Sequence, residues 1–240
     1  MPQLLGLGIY TQPEAAHLLR MTPSRLRRWV NGYTYWLSRE ASEVKRARPP
    51  VLRKSDLPII NHAVALSFLE LMELRVIKIL VDELDVPLQT VRKKALHAQR
   101  IFGTRYPFAS RKVFAEGRRV FAGIEPGEEE ADVIEVAEIA SGKTEQVQWA
   151  RLYEPVMREV QFDPETSFAR RWWPFGPETP VVLDPAIMFG APVIAGSRLR
   201  TAVAVKMARA EGEDVTAAAY RVPADGIRAA LRFENYLAAA

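Results

Sequence analysis

The residues in this chain best able to do chemistry are arginines and lysines gathered near its amino end. Ten basic side chains lie between Arg20 and Lys54, and only Glu40 and Glu43 oppose them there. Their excess of eight charges is twice the net charge of +4 carried by all 240 residues, so the rest of the chain is net acidic. Positive charge concentrated in one segment favours binding of a polyanion such as nucleic acid. The ten residues are Arg20, Arg25, Arg27, Arg28, Arg39, Lys45, Arg46, Arg48, Arg53 and Lys54.

Residue sets typical of catalysis or metal binding are not evident in the sequence. The chain has no cysteine, which excludes disulfides and thiolate metal sites. Its three histidines, His17, His62 and His97, do not have the spacing of metal ligands. Ser141–Thr144 (SGKT) resembles the end of a phosphate-binding loop, but the preceding glycine is missing and the stretch is acidic. The adjacent Glu128–Glu130 define no geometry for acid–base catalysis. We therefore predict that the protein is not an enzyme and uses no cofactor.

The element expected to position the basic side chains is a helix-turn-helix between Gly8 and Tyr33. Thr11 and Glu14 have the spacing of a capping box, and Thr22 before a proline predicts the start of a second helix. The apolar residues of this second helix, at helical spacing, would face the first helix. Its basic outer face suits docking in the major groove of DNA, although a solvated arginine face has the same pattern. The candidate base contacts are Ser24, Arg25, Arg27 and Arg28.

Two β-prone runs after the second helix, Tyr33–Leu37 and Pro50–Arg53, predict a hairpin with a polar, basic tip between them. Such a hairpin would form a wing beside the recognition helix, with its tip against the DNA backbone. Tyrosine hydroxyls in the wing could also hydrogen-bond phosphates. The candidate phosphate contacts are Tyr35, Lys45, Arg46, Arg48 and Arg53.

Two longer helices are predicted next. Ser67 and Glu70 repeat the capping-box pattern before an apolar run. A further helix would follow Val86 and end near Phe102, with Gly103 as its stop signal. Its inward residues would be Leu88, Val91, Ala95 and Ile101. Its outward residues Arg92, Lys93 and Lys94 would be either a second phosphate contact or a solvated surface, and the pattern leaves both alternatives open.

This order of elements resembles the DNA-binding domain of MerR-type transcription regulators over residues 8–103. Helix-turn-helix, wing, a helix with ELRVIKIL and the segment VPLQTVRKK follow one another. The resemblance implies a winged helix-turn-helix domain over residues 1–105. Arg20 and Met21 replace the glycine often found in the turn of such motifs, and a non-glycine residue in the left-handed conformation costs about 1–2 kcal/mol. MerR proteins continue into a long dimerising helix, which this sequence does not predict.

The middle of the chain, residues 106–175, is predicted as a connector. Lys112–Ala115 and Arg118–Gly123 flank a turn signal and predict a second hairpin. Glu125–Glu145 then holds eight acidic residues and one lysine. The pair Trp172–Trp173 stands in a proline-rich boundary, where we expect it to pin the linker onto a domain rather than to bind a ligand.

The carboxy-terminal segment, residues 176–240, carries the motif Phe-Gly-x-Pro-Val-Ile-x-Gly-Ser-Arg within Leu183–Thr201. This motif is similar to that of a small domain family of formerly unknown function. Asp214 and Pro223 predict the starts of two helices in a second helix-turn-helix-like arrangement. From Gly196 onward seven basic residues face five acidic residues. We therefore expect protein contacts or dimerisation here rather than DNA recognition.

A MerR-like domain followed by this carboxy-terminal domain resembles an antitoxin of the VapB type. The resemblance implies a mainly α protein with small β hairpins (α+β), divided at residues 1–105, 106–175 and 176–240. It further implies a type II module in which the protein neutralises a PIN-domain ribonuclease toxin. As a homodimer, it would also bind operator DNA and repress its own operon. One alternative is a stand-alone MerR-like regulator whose carboxy-terminal domain senses a ligand or partner, and a second is a pure protein-interaction adaptor.

The sequence also predicts where the protein works. The amino terminus, MPQLLGLGIY, lacks the basic lead of a signal peptide and is too short for its apolar core and cleavage site. No apolar run approaches the ~18 residues of a membrane span. We therefore expect a soluble, cytoplasmic protein with no membrane partner.

Overall fold

The computed structural model shows a mainly α-helical chain with small antiparallel hairpins, which confirms the predicted α+β class. It describes residues 7–39, 42–48, 50, 57, 59–60, 63–112 and 154–239, and for residues 36–39, 42–46, 59–60 and 63 the backbone alone. The predicted acidic stretch Glu125–Glu145, the predicted hairpin beyond residue 112 and the candidate Arg53 lie outside the described residues. No helix in this described part of the chain is long and apolar enough to cross a membrane.

The predicted pair of short helices is present as α1 (Gln12–Leu18) and α2 (Pro23–Asn31). Thr11 caps α1 within the predicted capping box, and Thr22 caps α2 by accepting a hydrogen bond from a backbone N–H of its first turn. Arg20, in the turn between the helices, has a φ of 51° and thus occupies the left-handed region. The strain predicted for a turn without glycine is therefore present at this residue.

A two-stranded antiparallel sheet follows α2 and corrects one prediction. β1 (Tyr33–Arg39) pairs with β2 (Ser42–Arg48), so the second strand lies earlier than the predicted Pro50–Arg53. The basic residues that we placed at the hairpin tip lie in β2 instead: Lys45, Arg46 and Arg48. The prediction was wrong because hydrophobic residues were taken to mark the strand. An isolated two-stranded sheet can be solvated, so polar residues also occupy strand positions.

Two fifteen-residue helices form the centre of the molecule, preceded by a short pair of strands. The elements are β3 (Ile59–Ile60), β4 (Ala63–Val64), α3 (Phe68–Asp82) and α4 (Leu88–Phe102). Ser67 and Glu70 form the second predicted capping box, and Gly103 ends α4 in the left-handed conformation, as predicted. Eleven of the fifteen residues of α3 are buried, which makes it the core helix.

The inward face of α4 differs from the prediction at one residue. Val91 and Ala95 are buried as expected, but Ile101 is 52% exposed. At 3.6 residues per turn, Ala98 and Phe102 continue the face that begins at Val91. Ile101 lies well to one side of that face and points toward solvent.

A buried carboxyl group joins α3 to the chain that follows α4. Glu73 is 3% exposed and accepts a hydrogen bond of 2.9 Å from the backbone N–H of Ala109, in a short 3-10 helix at Pro107–Ala109. Burial raises the pKa of Glu73 to about 8. The backbone N–H groups of Ala109 and Phe108 oppose this rise, and the neighbouring Glu70 adds to it. Glu73 is therefore protonated in the folded protein at neutral pH.

We expect this carboxyl group to make stability depend on pH. Since the folded protein keeps the Glu73 proton up to about pH 8 and the unfolded chain releases it near its usual value of 4.5, folding binds a proton between these limits. The free energy of unfolding should fall with rising pH there, by up to about 1.4 kcal/mol per unit. Denaturation between pH 6 and pH 7 checks this, because Glu73→Gln should remove that component of the slope. Equal slopes in the two proteins would contradict it.

The described carboxy-terminal part combines a short helical segment and two hairpins with three further helices. Residues 154–159 are helical. The strands are β5 (Val160–Phe162) paired with β6 (Ala169–Trp172), and β7 (Val181–Val182) paired with β8 (Val193–Ile194). The helices are α5 (Thr201–Glu211), α6 (Glu213–Tyr220) and α7 (Ala224–Ala238). Asp214, predicted as the cap, is instead the second residue of α6, whose N-cap is Gly212, and Pro223 stands directly before α7, as predicted.

One hydrophobic core runs from the amino-terminal helices into the carboxy-terminal part. It includes residues of α1, α2, α3, α4, β6 and α7, whereas a second, smaller core lies among β8 and the last three helices. Tyr10 is buried at the junction and donates a 2.8 Å hydrogen bond from its hydroxyl to the carbonyl of Gly190. The backbone N–H of Ile9 also donates to the carbonyl of Phe189, at 3.0 Å. The two ends of the chain are therefore packed together.

Two arginines reinforce this junction. Arg75 of α3 forms a buried ion pair with Glu159, 2.6 Å between Nη2 and Oε2, and its guanidinium lies 5.3 Å from the ring centroid of Trp172. Trp172 is buried, so it pins this segment to the core as predicted. Arg20, from the turn between α1 and α2, stacks on Tyr236 of α7 with 4.1 Å to the ring centroid. The turn of the helix pair is thus held directly by the last helix.

Candidate nucleic-acid interface

The second helix of the pair has the two faces that the sequence predicts. Leu26 and Trp29 are buried in the core shared with α1. Ser24, Arg27 and Arg28 are exposed on the other side. With 100° between successive residues, these three positions fall within one arc opposite the buried pair. The outer face of α2 therefore presents one hydroxyl and two guanidinium groups to solvent.

Arg25 is placed differently from the other three candidate base contacts. Its guanidinium lies over the ring of Trp29, 4.7 Å from the centroid. Both of its Nη atoms donate to the carboxylate of Asp82 at the end of α3, with 3.0 Å between Nη1 and Oδ2. The positive charge of Arg25 is therefore balanced within the protein. Among the described residues, no acidic side chain pairs with Arg27 or Arg28.

The hairpin places aromatic rings and another arginine beside α2. The register sets Tyr33 opposite Arg48 and Tyr35 opposite Arg46. The rings of Tyr33 and Tyr35 lie 5.9 Å apart between centroids. The guanidinium of Arg28 lies 5.5 Å from the Tyr33 centroid, and that of Arg48 lies 5.9 Å from the Tyr35 centroid. Arginines from α2 and from β2 therefore meet on the same pair of tyrosines.

The first turns of α4 complete this surface. With its amide oxygen turned toward Arg48, Gln89 accepts hydrogen bonds from both Nη atoms of that arginine. Burial lowers the pKa of Arg92, and the positive charge of nearby Arg48 lowers it further. Two guanidinium groups are thus held near each other although they repel. We call the following set the basic–aromatic surface: Arg28, Tyr33, Tyr35, Arg48 and Arg92.

The chemistry of the basic–aromatic surface suits the phosphates of a nucleic acid. Guanidinium groups bind phosphate through charge-assisted, often bidentate hydrogen bonds. A tyrosine hydroxyl can donate to a phosphate oxygen while its ring supports a neighbouring arginine. An anion between Arg48 and Arg92 would relieve their repulsion. The surface adjoins the exposed face of α2, so groups suited to the backbone lie beside groups suited to base edges.

The candidate residues are not all brought together in the described structure. Ser24, Arg27, Arg28, Tyr35 and Arg48 belong to α2 or the hairpin. Lys45 and Arg46 lie in β2, where only the backbone is described, and Arg53 lies outside the described residues. The sequence did not indicate the roles of Gln89 and Asp82, because each contacts an arginine far away along the chain. The Arg25–Asp82 contact, for example, spans 57 residues.

The other residues with metal-binding or catalytic chemistry are scattered. His17 lies in α1 and His97 in α4, while His62 falls outside the described residues. Across residues 7–112 and 154–239, as far as these are described, no three His, Asp or Glu side chains are grouped so as to hold a metal ion. The concentrated chemistry of the described chain is therefore that of the basic–aromatic surface and the outer face of α2.

The comparison with solved structures shows a protein of similar fold. The X-ray crystal structure of Rv2018 from Mycobacterium tuberculosis superposes with a TM-score of 0.64 at 20% sequence identity. The match covers 92% of this chain and 96% of that chain, and it shows a shared fold. The sequence matches no family model and no curated protein.

Proposed function

We propose that the protein binds double-stranded operator DNA through α2, the β1–β2 hairpin and the start of α4, and thereby regulates transcription. The observation that carries this proposal is the basic–aromatic surface. Arg28 of α2 and Arg48 of β2 lie over two neighbouring tyrosines there, and Arg92 of α4 is close enough to Arg48 for the two charges to repel. No described carboxylate forms an ion pair with Arg28 or Arg48. A merely solvated arginine would not need such support from other elements.

The groups of this interface take different parts in the proposed complex. Ser24, Arg27 and Arg28 on the outer face of α2 would contact base edges or the rim of the major groove. The hairpin and the start of α4 would contact phosphates and so fix the orientation of α2. The proposed phosphate contacts are Tyr35, Lys45, Arg46, Arg48, Arg53 and Arg92, together with Arg28 at the rim of the groove.

The full function that we propose is that of an antitoxin in a type II toxin–antitoxin module. In this proposal the protein is a cytoplasmic homodimer that neutralises a PIN-domain ribonuclease and represses its own operon. The support comes from the resemblance of the carboxy-terminal motif, together with its place in the fold. Met188 and Phe189 are both exposed within a turn of positive φ, so this motif presents apolar side chains at the surface. Such side chains suit contact with another protein.

The alternative is a stand-alone regulator in which the carboxy-terminal part senses a ligand or partner. It shares the same DNA-binding surface, because α2, the β1–β2 hairpin and the start of α4 form that surface in either case. Co-expression with the product of the neighbouring open reading frame separates the two proposals. A stable complex that suppresses ribonuclease activity supports the antitoxin, whereas DNA binding without such a complex supports the stand-alone regulator.

The DNA-binding proposal is tested by titrating the protein against the duplex upstream of its own gene. We expect specific binding at least about a thousandfold tighter than to a scrambled duplex of the same composition. The logarithm of the binding constant should fall linearly with the logarithm of the salt concentration. Equal binding of both duplexes, or no binding at low salt, would remove the proposal.

A further inference from the structure

The ion pair between Arg25 and Asp82 restricts the arginine in two ways. Asp82 holds both Nη atoms of the guanidinium, and the ring of Trp29 supports its flat face. Lys78, one turn earlier on α3, approaches the same carboxylate at 3.5 Å. Burial on its own would raise the pKa of Asp82, but hydrogen bonds and charge from Arg25, and then from Lys78, lower it below its usual value. The carboxylate therefore stays ionised and keeps its hold on Arg25.

These contacts leave part of the guanidinium available. The Arg25 side chain is 36% exposed. Asp82 uses one hydrogen of each Nη atom, at the end of the guanidinium. The side edge, formed by the Nε hydrogen and a second Nη hydrogen, is not used by Asp82. No other described residue accepts a hydrogen bond from that edge. Side-on donation from this edge matches the two acceptors, O6 and N7, that guanine presents in the major groove.

We propose that Asp82 is a positioning residue that holds Arg25 in the orientation needed to recognise one guanine. This inference rests on the proposed DNA binding and adds a specificity-determining pair to it. An arginine side chain loses rotamer freedom when it binds a base, and this loss of entropy weakens binding. Because Asp82 already fixes the guanidinium of Arg25 in the free protein, the entropy is lost before the base binds. Discrimination of guanine from other bases therefore depends on Asp82, although Asp82 touches no base.

The alternative role for the same contact is purely structural: as a brace, it would only fix α2 against α3. The two roles differ in one measurable respect. A brace affects binding to every sequence alike, because it changes the position of the whole helix. A positioning residue affects preference at a single base pair, because only Arg25 loses its orientation.

The experiment begins with wild-type protein and a library of duplexes with a randomised centre, which gives the preferred sequence. Affinities are then measured for duplexes that carry single base changes. Arg25→Ala should lower discrimination at one G·C pair about tenfold. Asp82→Asn should lower it severalfold at the same pair, and Arg25→Ala with Asp82→Asn should be no worse than Arg25→Ala alone.

The matched control is Asp85→Asn. It removes the same charge three residues away, at an exposed position whose φ of 52° asparagine tolerates. This variant should discriminate as the wild type does. Asp82→Ala is measured as well, so that a folding defect in one variant, visible in its thermal unfolding, does not decide the result.

Three outcomes overturn the inference. Asp82 has no positioning role if its variants weaken all duplexes alike, or if they leave discrimination unchanged while wild-type protein still prefers one sequence. If instead the wild-type protein selects no sequence from the library, it is the proposed function itself that fails.

Discussion

Replacing Arg75 with alanine is expected to lower the free energy of unfolding by about 3–5 kcal/mol, since it leaves the mostly buried carboxylate of Glu159 without its buried partner. Glu159 is mostly buried and receives hydrogen bonds from Arg75 and, at 3.4 Å, from the indole N–H of Trp172. Arg75 also supports the Trp172 ring. Its loss therefore removes a charge and a packing contact at the junction of the two ends of the chain. Chemical denaturation followed by fluorescence measures the change.

Arg158 provides the control for this prediction. It approaches the other oxygen of Glu159 at 3.4 Å, but its own side chain is 61% exposed. Arg158→Ala should change the free energy of unfolding by less than about 1 kcal/mol, as for other solvated ion pairs. Equal effects of the two substitutions would show that burial does not set the strength of the Arg75 pair.

Replacing Gly190 with alanine is expected to lower the free energy of unfolding by about 2–4 kcal/mol. A Cβ atom at this position would lie 2.1 Å from the hydroxyl oxygen of Tyr10, and φ is +86°. The hydroxyl cannot yield easily, because Tyr10 is 2% exposed and donates its hydrogen bond to the Gly190 carbonyl. Alanine would therefore force apart the two ends of the chain. Thermal and chemical denaturation check the loss.

Substitutions at Gly196 and Tyr10 separate the two causes of this loss, backbone strain at positive φ and the clash with the Tyr10 hydroxyl. Gly196 has a φ of +77°, but a Cβ there would meet nothing within 4 Å. Gly196→Ala should therefore show the backbone strain alone, about 1 kcal/mol. Adding Tyr10→Phe to Gly190→Ala removes the oxygen from the clash and should recover part of the loss. A Gly190→Ala protein as stable as the wild type would contradict the close packing of Tyr10 on the motif.

Features that depend on residues close together in the sequence were predicted correctly. The capping boxes at Thr11 and Ser67 were found correctly because both partners lie within one helical turn. Gly103 was found because a left-handed helix end favours glycine. The outer face of α2 followed from helical periodicity, which also gave its buried residues Leu26 and Trp29.

Features that depend on pairing or on distant contacts were predicted less well. The second strand of the hairpin was placed at Pro50–Arg53, whereas the chain turns back earlier and pairs Ser42–Arg48. Arg25 was grouped with the solvated arginines of α2, since nothing in the local sequence indicates that Asp82 lies beside it. The contact of Tyr10 with Gly190 joins residues 180 positions apart. Such contacts depend on the packing of the whole fold.

The central claim is that the basic–aromatic surface binds DNA phosphates, and the salt dependence of binding tests it most directly. The measurement compares wild-type protein with a variant in which Arg28, Arg48 and Arg92 are alanine, on the same upstream duplex. The control variant carries alanine at three arginines of the carboxy-terminal part, Arg158, Arg198 and Arg200, and has the same net charge. We predict that the slope of log affinity against log salt becomes shallower by about two to three units in the first variant. In the control variant we predict that it stays close to the wild-type value. An unchanged slope in the first variant, or an equal change in both, would contradict the claim.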